Sequence, residues 1–275
     1  SCDPLDDWRW RNPLPHGDFF RGVTYGNGSF VAVGNGGVVF TSPDGVTWTR
    51  RDSGTIQSLH GVAYGNGIFV VIGSRYFNYA TDHILLTSSD GVTWTSGDFR
   101  IPWLNAALSA TLAGVTYGNG TFVAAGGNGI IIASPDGEQW TSGWSKIPWP
   151  DAGLRRVTYG NGIFVAVGVS GALVTSPDGA KWTARNSKDD SLQFADVTYG
   201  NGTFIALDFG GTIMTSPDGV TWTSRYIGNL SLNGPLNGVA YGNGTFVAVG
   251  QFGTIITSPD GVIWTVRSTA MPNDY

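Results

Sequence analysis

Two stretches of sequence, Tyr25-Gly-Asn-Gly-Ser-Phe-Val-Ala-Val33 and Ser42-Pro-Asp-Gly-Val-Thr-Trp48, decide the fold because both recur along the chain. The first begins at Tyr25, Tyr64, Tyr117, Tyr159, Tyr199 and Tyr241, and the second ends at Trp48, Trp94, Trp140, Trp182, Trp222 and Trp264. A repeat of about 40 residues with short apolar runs and tight turns is typical of one β-propeller blade. The sequence therefore predicts an all-β, six-bladed propeller of four-stranded antiparallel blades.

Each copy contains four predicted strands, which we call A, B, C and D from the inner strand outward. In the last copy they are Gly238–Tyr241, Thr245–Val249, Gly253–Thr257 and Val262–Val266. Gly-Asn and Asp-Gly pairs, such as Gly242-Asn243, join A to B and C to D, because Gly and Asn tolerate the positive φ that tight turns need. Antiparallel strands alternate in direction. The A–B and C–D turns therefore share one face of the propeller, and the B–C turns and D–A crossovers share the other.

The motif at Ser42–Trp48 resembles the Asp-box, or BNR repeat, of sialidase-like propellers and of the photosystem II assembly-factor-like family. The resemblance covers residues 22–267, with one residue fewer between Asp and Trp than in the common pattern. It implies that six aspartates brace their turns and that the motif tryptophans pack between strands. These aspartates are Asp44, Asp90, Asp136, Asp178, Asp218 and Asp260. We expect no metal there, because each motif offers one acidic side chain where calcium needs several oxygen ligands.

The sialidase resemblance also implies a set of catalytic residues that this chain lacks. Sialidase chemistry uses a tyrosine nucleophile paired with a glutamate, and Glu138, the single glutamate, lies inside the third Asp-box motif. The three histidines, His16, His60 and His83, lack the short spacing of a metal site. The sequence therefore predicts a non-catalytic protein without a cofactor, with a glycan-acting hydrolase as an alternative.

The composition and the single cysteine limit the kinds of partner and the cellular location that we expect. A net charge of −5 without a basic run argues against nucleic acid. Gly, Asn, Asp or Pro interrupts every apolar run before the roughly 20 residues that a transmembrane helix needs. Cys2 resembles the lipid-bearing cysteine of a bacterial lipoprotein, and the alternative is a free or intermolecularly paired thiol. We expect an exported bacterial protein, extracellular or at the cell surface, with or without a lipid anchor.

The B–C turns and D–A crossovers vary between copies, whereas the A–B and C–D turns repeat almost unchanged. Copies two and three vary most, with an expanded B–C loop and two crossovers that contain Ile-Pro-Trp. Aromatic side chains beside charged ones suit a sugar or peptide cleft. The ligand-binding candidates are Arg75, Tyr76, Tyr79, Asp82, His83, Arg100, Trp103, Trp144, Lys146 and Trp149. The alternative is that these crossovers only cover blade edges.

A second candidate site is the mouth of the central channel, where the inner A strands begin. The candidates there are Arg21, His60, Arg155, Arg156 and Asp196. These side chains would converge on an anionic ligand, or they are charges solvated by channel water.

The N-terminal stretch Asp7-Trp-Arg-Trp-Arg11 resembles a D strand, so the chain has seven D-like segments but six A–B–C sets. The extra segment adds an outer strand, belongs to a seven-bladed arrangement, or closes the ring of another copy in a strand-swapped homo-oligomer. We expect an N-terminal segment over residues 1–21, the propeller over residues 22–267 and a tail over residues 268–275.

These features together predict an exported binding or scaffold propeller. It would hold a glycan, a peptide or a protein partner on the face of the B–C turns and D–A crossovers. The alternative is a structural or assembly factor of a membrane or extracellular complex.

Overall fold

The computed structural model describes residues 19–77, 80–97, 111–142, 153–185, 187, 189–227, 232 and 234–267, with backbone alone at residues 75–77 and 80–82. Within these residues, 24 strands form six antiparallel four-stranded sheets. The sheets are the blades of a six-bladed β-propeller, which confirms the predicted fold class. No helix in this described part of the chain is long and apolar enough to cross a membrane.

The strands run in chain order from the inner strand A to the outer strand D of each blade. Blade 1 contains β1 (Phe20–Gly26), β2 (Ser29–Gly34), β3 (Val39–Ser42) and β4 (Thr49–Arg51). Blade 2 contains β5 (Ser58–Gly65), β6 (Ile68–Phe77), β7 (Ala80–Ser88) and β8 (Thr95–Ser96). Blade 3 contains β9 (Leu112–Gly118), β10 (Thr121–Gly126), β11 (Ile131–Ser134) and β12 (Thr141–Ser142).

The remaining blades repeat the same order. Blade 4 contains β13 (Leu154–Gly160), β14 (Ile163–Gly168), β15 (Leu173–Ser176) and β16 (Thr183–Ala184). Blade 5 contains β17 (Phe194–Gly200), β18 (Thr203–Asp208), β19 (Thr212–Ser216) and β20 (Thr223–Tyr226). Blade 6 contains β21 (Leu236–Gly242), β22 (Thr245–Gly250), β23 (Ile255–Ser258) and β24 (Thr265–Arg267). Short 3₁₀ turns lie between B and C at Asn35–Gly37, Gly127–Gly129 and Gln251–Gly253.

The outer strands begin later than the sequence pattern predicts. In blade 6 the D strand is Thr265–Arg267, whereas the pattern predicts Val262–Val266. Asp260 Oδ1 accepts hydrogen bonds from the backbone N–H groups of Val262 (2.8 Å) and Ile263 (2.9 Å). These residues therefore belong to the turn, because their amides bond to the aspartate and not to strand C.

A turn of this kind, which we call the Asp turn, occurs in all six blades on the face of the A–B turns. In blade 5, Asp218 Oδ1 accepts hydrogen bonds from Val220 N (2.8 Å), Thr221 N (2.7 Å) and Ser216 Oγ (3.0 Å). In each Asp turn, the hydrogen bonds from the two backbone amides are the main reason why the pKa of the aspartate carboxyl is lowered. The pKa of Asp90 is lowered to about 2. The carboxylate form thus holds the turn together.

The expanded B–C region of blade 2 is a β-hairpin extension and not a loop. Strands β6 and β7 stay paired from Phe69↔Ser88 to Phe77↔Ala80. Aromatic and β-branched residues such as Tyr76 and Thr81 favour extended backbone, which accounts for the longer ladder. The hairpin lies at the B–C end of the blade, on the face of the D–A crossovers.

The hydrophobic core lies in the seams between successive blades. Between blades 3 and 4, for example, the fully buried Phe164 packs with Val123 and Trp182. At the inner rim of blade 4, a Cβ added to Gly160 would overlap the ring of Tyr199 from blade 5. In blades 1 to 5, the Gly that follows Tyr in the repeat is therefore required by the tyrosine of the next blade.

Candidate functional site at the channel mouth

A β-bulge occurs near the start of the inner strand in every blade. The register of blade 1 shifts between Phe20 and Gly22, which leaves Arg21 as the extra residue. The equivalent residues are His60, Ala113, Arg155, Ala195 and Asn237. A bulge re-aims the side chain that it carries. The bulges thus decide which side chains face the channel at the B–C end of the propeller.

Two neighbouring blades carry a charged residue where the other four have glycine. The glycines are Gly22, Gly61, Gly114 and Gly238, and the charged residues are Arg156 in blade 4 and Asp196 in blade 5. Arg156 Nε lies 3.7 Å from Asp196 Oδ1. An ion pair therefore joins the two blades, and both of its side chains line the channel.

Arg156 also reaches the main chain of other blades. Its Nη1 donates to the carbonyl oxygens of Ala113 (2.8 Å) and Arg155 (3.0 Å), and its Nη2 lies 3.5 Å from the Arg21 carbonyl oxygen. Together with the ion pair, these contacts connect one guanidinium to blades 1, 3, 4 and 5. Arg156 thus acts as a cross-brace at the channel mouth.

Among the described residues that line the channel, Asp196 is the acidic one. Desolvation raises the pKa of Asp196, and the opposing influences are the Arg156 charge and the amides of Val239 and Val197. The Val239 amide donates to Asp196 Oδ2 at 2.9 Å, and the Val197 amide to Oδ1 at 2.8 Å. The carboxylate is therefore engaged within the protein.

Arg21 and His60 line the same mouth, and each makes a side-chain hydrogen bond to an uncharged neighbour. The exposed Arg21 donates from Nε to Asn35 Oδ1 at 2.6 Å, and His60 Nε2 lies 2.9 Å from Ser74 Oγ. Burial, followed by the charges of Arg21 and Arg156, lowers the pKa of His60 to about 4. His60 is thus neutral at pH 7, and the mouth combines two cations with one paired anion.

The cavity at this mouth has a volume of about 770 Å³, which includes the space between blades 1 and 6 that Val23 and Val249 line. Its polar lining comes from Arg21, His60, Arg156, Asp196 and Asn237, and valine and alanine side chains complete the wall. A cavity of this size with few polar groups on an apolar wall suits a peptide segment or a small ligand.

Arg155 does not belong to this lining, although the sequence placed it with Arg156. Its guanidinium lies over the ring of Phe209, with Cζ 5.1 Å from the ring centroid. Phe209 follows strand B of blade 5, so Arg155 packs along the neighbouring blade. Of the five channel-mouth candidates, the structure brings four together.

Most candidates on the variable face fall where the structure gives no side chain. His83 is described, half-buried, and pairs with Ser74 across the hairpin. Arg75, Tyr76 and Asp82 have described backbone positions on the same hairpin. Tyr79, Arg100, Trp103, Trp144, Lys146, Trp149 and the predicted lipidation site Cys2 lie outside the described residues.

The sequence interpretation missed Asn35, Ser74 and Asn237 at the mouth. A comparison of the six inner strands in sequence would indicate the ion pair, since Arg156 and Asp196 both replace the repeated glycine. The bulge offers no such signal, because alternation along an ideal strand would place Arg155 and Arg156 on opposite faces without saying which one enters the channel.

Catalytic groups are sparse in the described residues. Glu138 is exposed in the Asp turn of blade 3, on the face opposite the mouth. No three His, Cys, Asp or Glu side chains come together within the described ranges. The His60–Ser74 contact has the spacing of a base and a nucleophile, but a histidine pKa near 4 makes a weak base at neutral pH.

Solved structures with a similar fold include binding proteins and an enzyme. YCF48 bound to a D1 peptide matches with a TM-score of 0.69 and 19% identity, over 92% of this chain and 82% of that chain. YCF48 from Cyanidioschyzon merolae matches with 0.68 and 17%, over 92% and 86%. A catalytically inactive virginiamycin B lyase from Staphylococcus aureus, with quinupristin, matches with 0.76 and 12%, over 93% and 86%.

These likenesses establish the β-propeller fold and nothing finer, because the identities are low. No family model matches the chain. No curated protein sequence matches it either.

Proposed function

We propose that this propeller is a non-catalytic binding module that holds an acidic peptide segment of a protein partner at the channel mouth. The observation that carries the proposal is the charge arrangement there. Arg156 is neutralised by Asp196, whereas the exposed Arg21 has a neutral side-chain partner, Asn35. A carboxylate can therefore reach a cation that the protein does not itself neutralise.

The neutral state of His60 fits the same role. A third cation, beside Arg21 and Arg156, is disfavoured by burial and by their charges. Neutral His60 can still exchange a hydrogen bond with a peptide group through its second ring nitrogen. The mouth thus offers one cation that the protein does not neutralise, with neutral polar groups beside it. This arrangement suits a peptide of mixed composition better than a densely charged polymer.

A peptide is preferred over a glycan on one further ground. YCF48, which has the same fold, is seen bound to a D1 peptide, and that property of YCF48 supports a peptide ligand here by analogy. The role of a structural or assembly factor is compatible with this proposal, since holding a partner's peptide is how such a factor would act.

The decisive experiment measures binding of a fluorescein-labelled acidic peptide with a free C-terminal carboxylate by fluorescence anisotropy. We expect Arg21→Gln to weaken binding several-fold, and added salt to weaken binding to the parent protein. Arg50→Gln is the matched control, because Arg50 is also exposed but lies on outer strand β4. Equal affinities of the parent and Arg21→Gln proteins would overturn the proposal.

The location and the chain ends are part of the same proposal. An exported module would carry residues 1–19 and 268–275 as extensions of the propeller, with a lipid on Cys2 as one form of anchor; the expected N-terminal segment of residues 1–21 is shorter because β1 begins at Phe20. Mass spectrometry of native material tests this directly. A diacylglycerol-type mass increase at Cys2 supports the anchor, and an unmodified thiol removes it.

A further inference from the structure

Five of the six seams between blades are closed in the same way. In each, the tyrosine of one blade covers the glycine that follows the tyrosine of the preceding blade. These pairs are Gly26–Tyr64, Gly65–Tyr117, Gly118–Tyr159, Gly160–Tyr199 and Gly200–Tyr241. At the sixth seam, a Cβ added to Gly242 would meet nothing within 4 Å. Among the described residues, β21 and β1 also make no contact comparable to that between other successive inner strands. The channel mouth therefore continues into an open seam between blades 6 and 1.

The blade 1 wall of this open seam is apolar and exposed. Phe20 is 46% and Val23 62% exposed, and both line the cavity at the channel mouth. The ring of Phe20 packs on Phe40 of its own blade, with 5.5 Å between the ring centroids. In the other blades the residues equivalent to Phe20 are buried against the preceding blade, and they are Leu59, Leu112, Leu154, Phe194 and Leu236. Phe20 thus faces the seam from a fixed position, with no blade against it.

The blade 6 wall matches it. Val249 is 43% exposed and lines the same cavity. The equivalent residues of the other blades are fully buried against the next blade, and they are Val33, Ile72, Ala125, Val167 and Leu207. Both walls therefore present apolar side chains to the mouth at positions that the repeat buries elsewhere.

Phe252 extends this wall at the rim, in the B–C turn Gln251–Gly253 of blade 6. Its backbone is left-handed, with φ 53° and ψ 36°, a conformation that strains a bulky residue. The equivalent left-handed residues of blades 1, 3 and 4 are smaller: Gly36, Asn128 and Ser170. The ring lies beside the crossover, since a Cβ added to Gly234 would be 3.1 Å from Phe252 Cδ2, yet the residue is 74% exposed. An exposed aromatic ring thus occupies a turn position that favours a small residue.

Arg21 lies next to these apolar side chains. It follows Phe20 in the chain, and its Nε donates to Asn35 Oδ1 in the B–C turn of blade 1. Arg21, Phe20 and Val249 line one cavity. A cation with an uncharged partner, beside exposed apolar groups, is complementary to a segment that carries a carboxylate and an apolar side chain together.

We propose that the peptide held at the channel mouth carries a large apolar side chain close to its acidic residue, and that the open seam binds this side chain. Arg21 receives the carboxylate. The apolar side chain packs on the surface formed by Phe20, Val23, Val249 and Phe252, which we call the apolar strip. This inference rests on the proposed function and adds to it the class of peptide that is recognised.

The test compares two fluorescein-labelled peptides of equal charge by fluorescence anisotropy. One contains Leu-Ser-Asp-Ser-Leu and the other Ser-Ser-Asp-Ser-Ser, because side chains two residues apart in an extended segment point the same way. We expect the leucine peptide to bind the parent protein roughly tenfold more tightly. Phe252→Gly and Val249→Ser should each reduce this preference to about threefold or less.

Two controls make the loss specific. Tyr226→Ser should keep the full preference, since Tyr226 is also 74% exposed but lies on outer strand β20. Phe252→Gly should not lower the Tm, because glycine adopts the left-handed turn without strain. A lost preference in that variant therefore reports the missing ring and not a damaged fold.

The outcomes separate this inference from the proposed function. Equal affinities of the two peptides for the parent protein, both weakened by Arg21→Gln, would overturn the apolar strip and leave the acidic-peptide site standing. Binding of neither peptide would overturn both. A tenfold preference that survives in Phe252→Gly and in Val249→Ser would overturn the strip as well. A dimer of the free chain that Val249→Ser dissociates in light scattering would do the same, since a second copy would then cover the strip.

Discussion

Replacing seam glycines by alanine tests whether the ring is packed at five seams and open at the sixth. Gly160→Ala places a methyl group against the ring of Tyr199. That ring cannot move aside easily, because its centroid lies 4.6 Å from the ring of Phe204, which is fully buried. Gly242→Ala is the matched variant, since Gly242 occupies the same place in the repeat with nothing within 4 Å of the added methyl.

The expected magnitudes follow from overpacking and from chain entropy. Overpacking of a filled site costs about 1–3 kcal/mol, whereas alanine at an unobstructed glycine position stabilises by about 0.4–1 kcal/mol through the unfolded chain. The two variants should therefore differ by about 1.5–4 kcal/mol in free energy of unfolding. Each kcal/mol corresponds to roughly 2–4 °C in Tm for a domain near this size.

Urea denaturation followed by tryptophan fluorescence measures this difference, since the chain has 11 tryptophans. Gly160→Ala should unfold at lower urea than the parent, and Gly242→Ala at the same or slightly higher urea. Equal losses for the two variants would refute the reasoning, because they would mean that Gly242 is covered as the other five glycines are.

Four further predictions concern the turns and the channel. Asp218→Ala should lower the free energy of unfolding by about 1–2 kcal/mol in urea titrations, because two amides and a hydroxyl lose their acceptor, and Asp218→Asn should lose less. Since the pKa values of the Asp-turn carboxyls are depressed in the folded state, the stability they confer is present above pH about 4 and is lost as the pH falls toward 2, which the urea midpoint across that range will show. The His60 ring should titrate near pH 4 by NMR, and Arg21→Gln should raise that pKa, whereas Arg50→Gln should not. Asp196→Ala should destabilise by about 2–4 kcal/mol, because Arg156 and the Val197 and Val239 amides lose their partner, with Asp196→Asn milder.

The blade could be predicted from sequence because its turns and its seam residues repeat together. Tyr-Gly-Asn-Gly encodes a positive-φ turn, seen at Asn161 with φ 46°, and the same tyrosine covers the preceding blade's glycine. Each local signal agrees with the packing that it serves. The start of strand D was placed too early, because the pattern alone does not show that Asp260 takes the amides of Val262 and Ile263.

The channel mouth could be predicted only in part. The sequence identifies the charged residues near the start of the inner strands, but a bulge decides whether Arg155 or Arg156 enters the channel. The long hairpin of blade 2 was predicted as a loop, because the repeat pattern does not show that β6 and β7 stay paired as far as Phe77 and Ala80. The seventh D-like segment indicated from sequence that a seven-bladed arrangement was an alternative. The repeat sequence of blade 6 did not show that Gly242 lies uncovered, since it does not differ from that of the other blades.

Amide hydrogen exchange with and without the acidic test peptide is the most direct test of peptide binding at the channel mouth. We predict slower exchange at the starts of the inner strands, around Arg21, His60 and Asn237, with no change at the A–B turns and the Asp turns on the opposite face. Protection confined to those turns, or spread equally over all six blades, would contradict the proposed site.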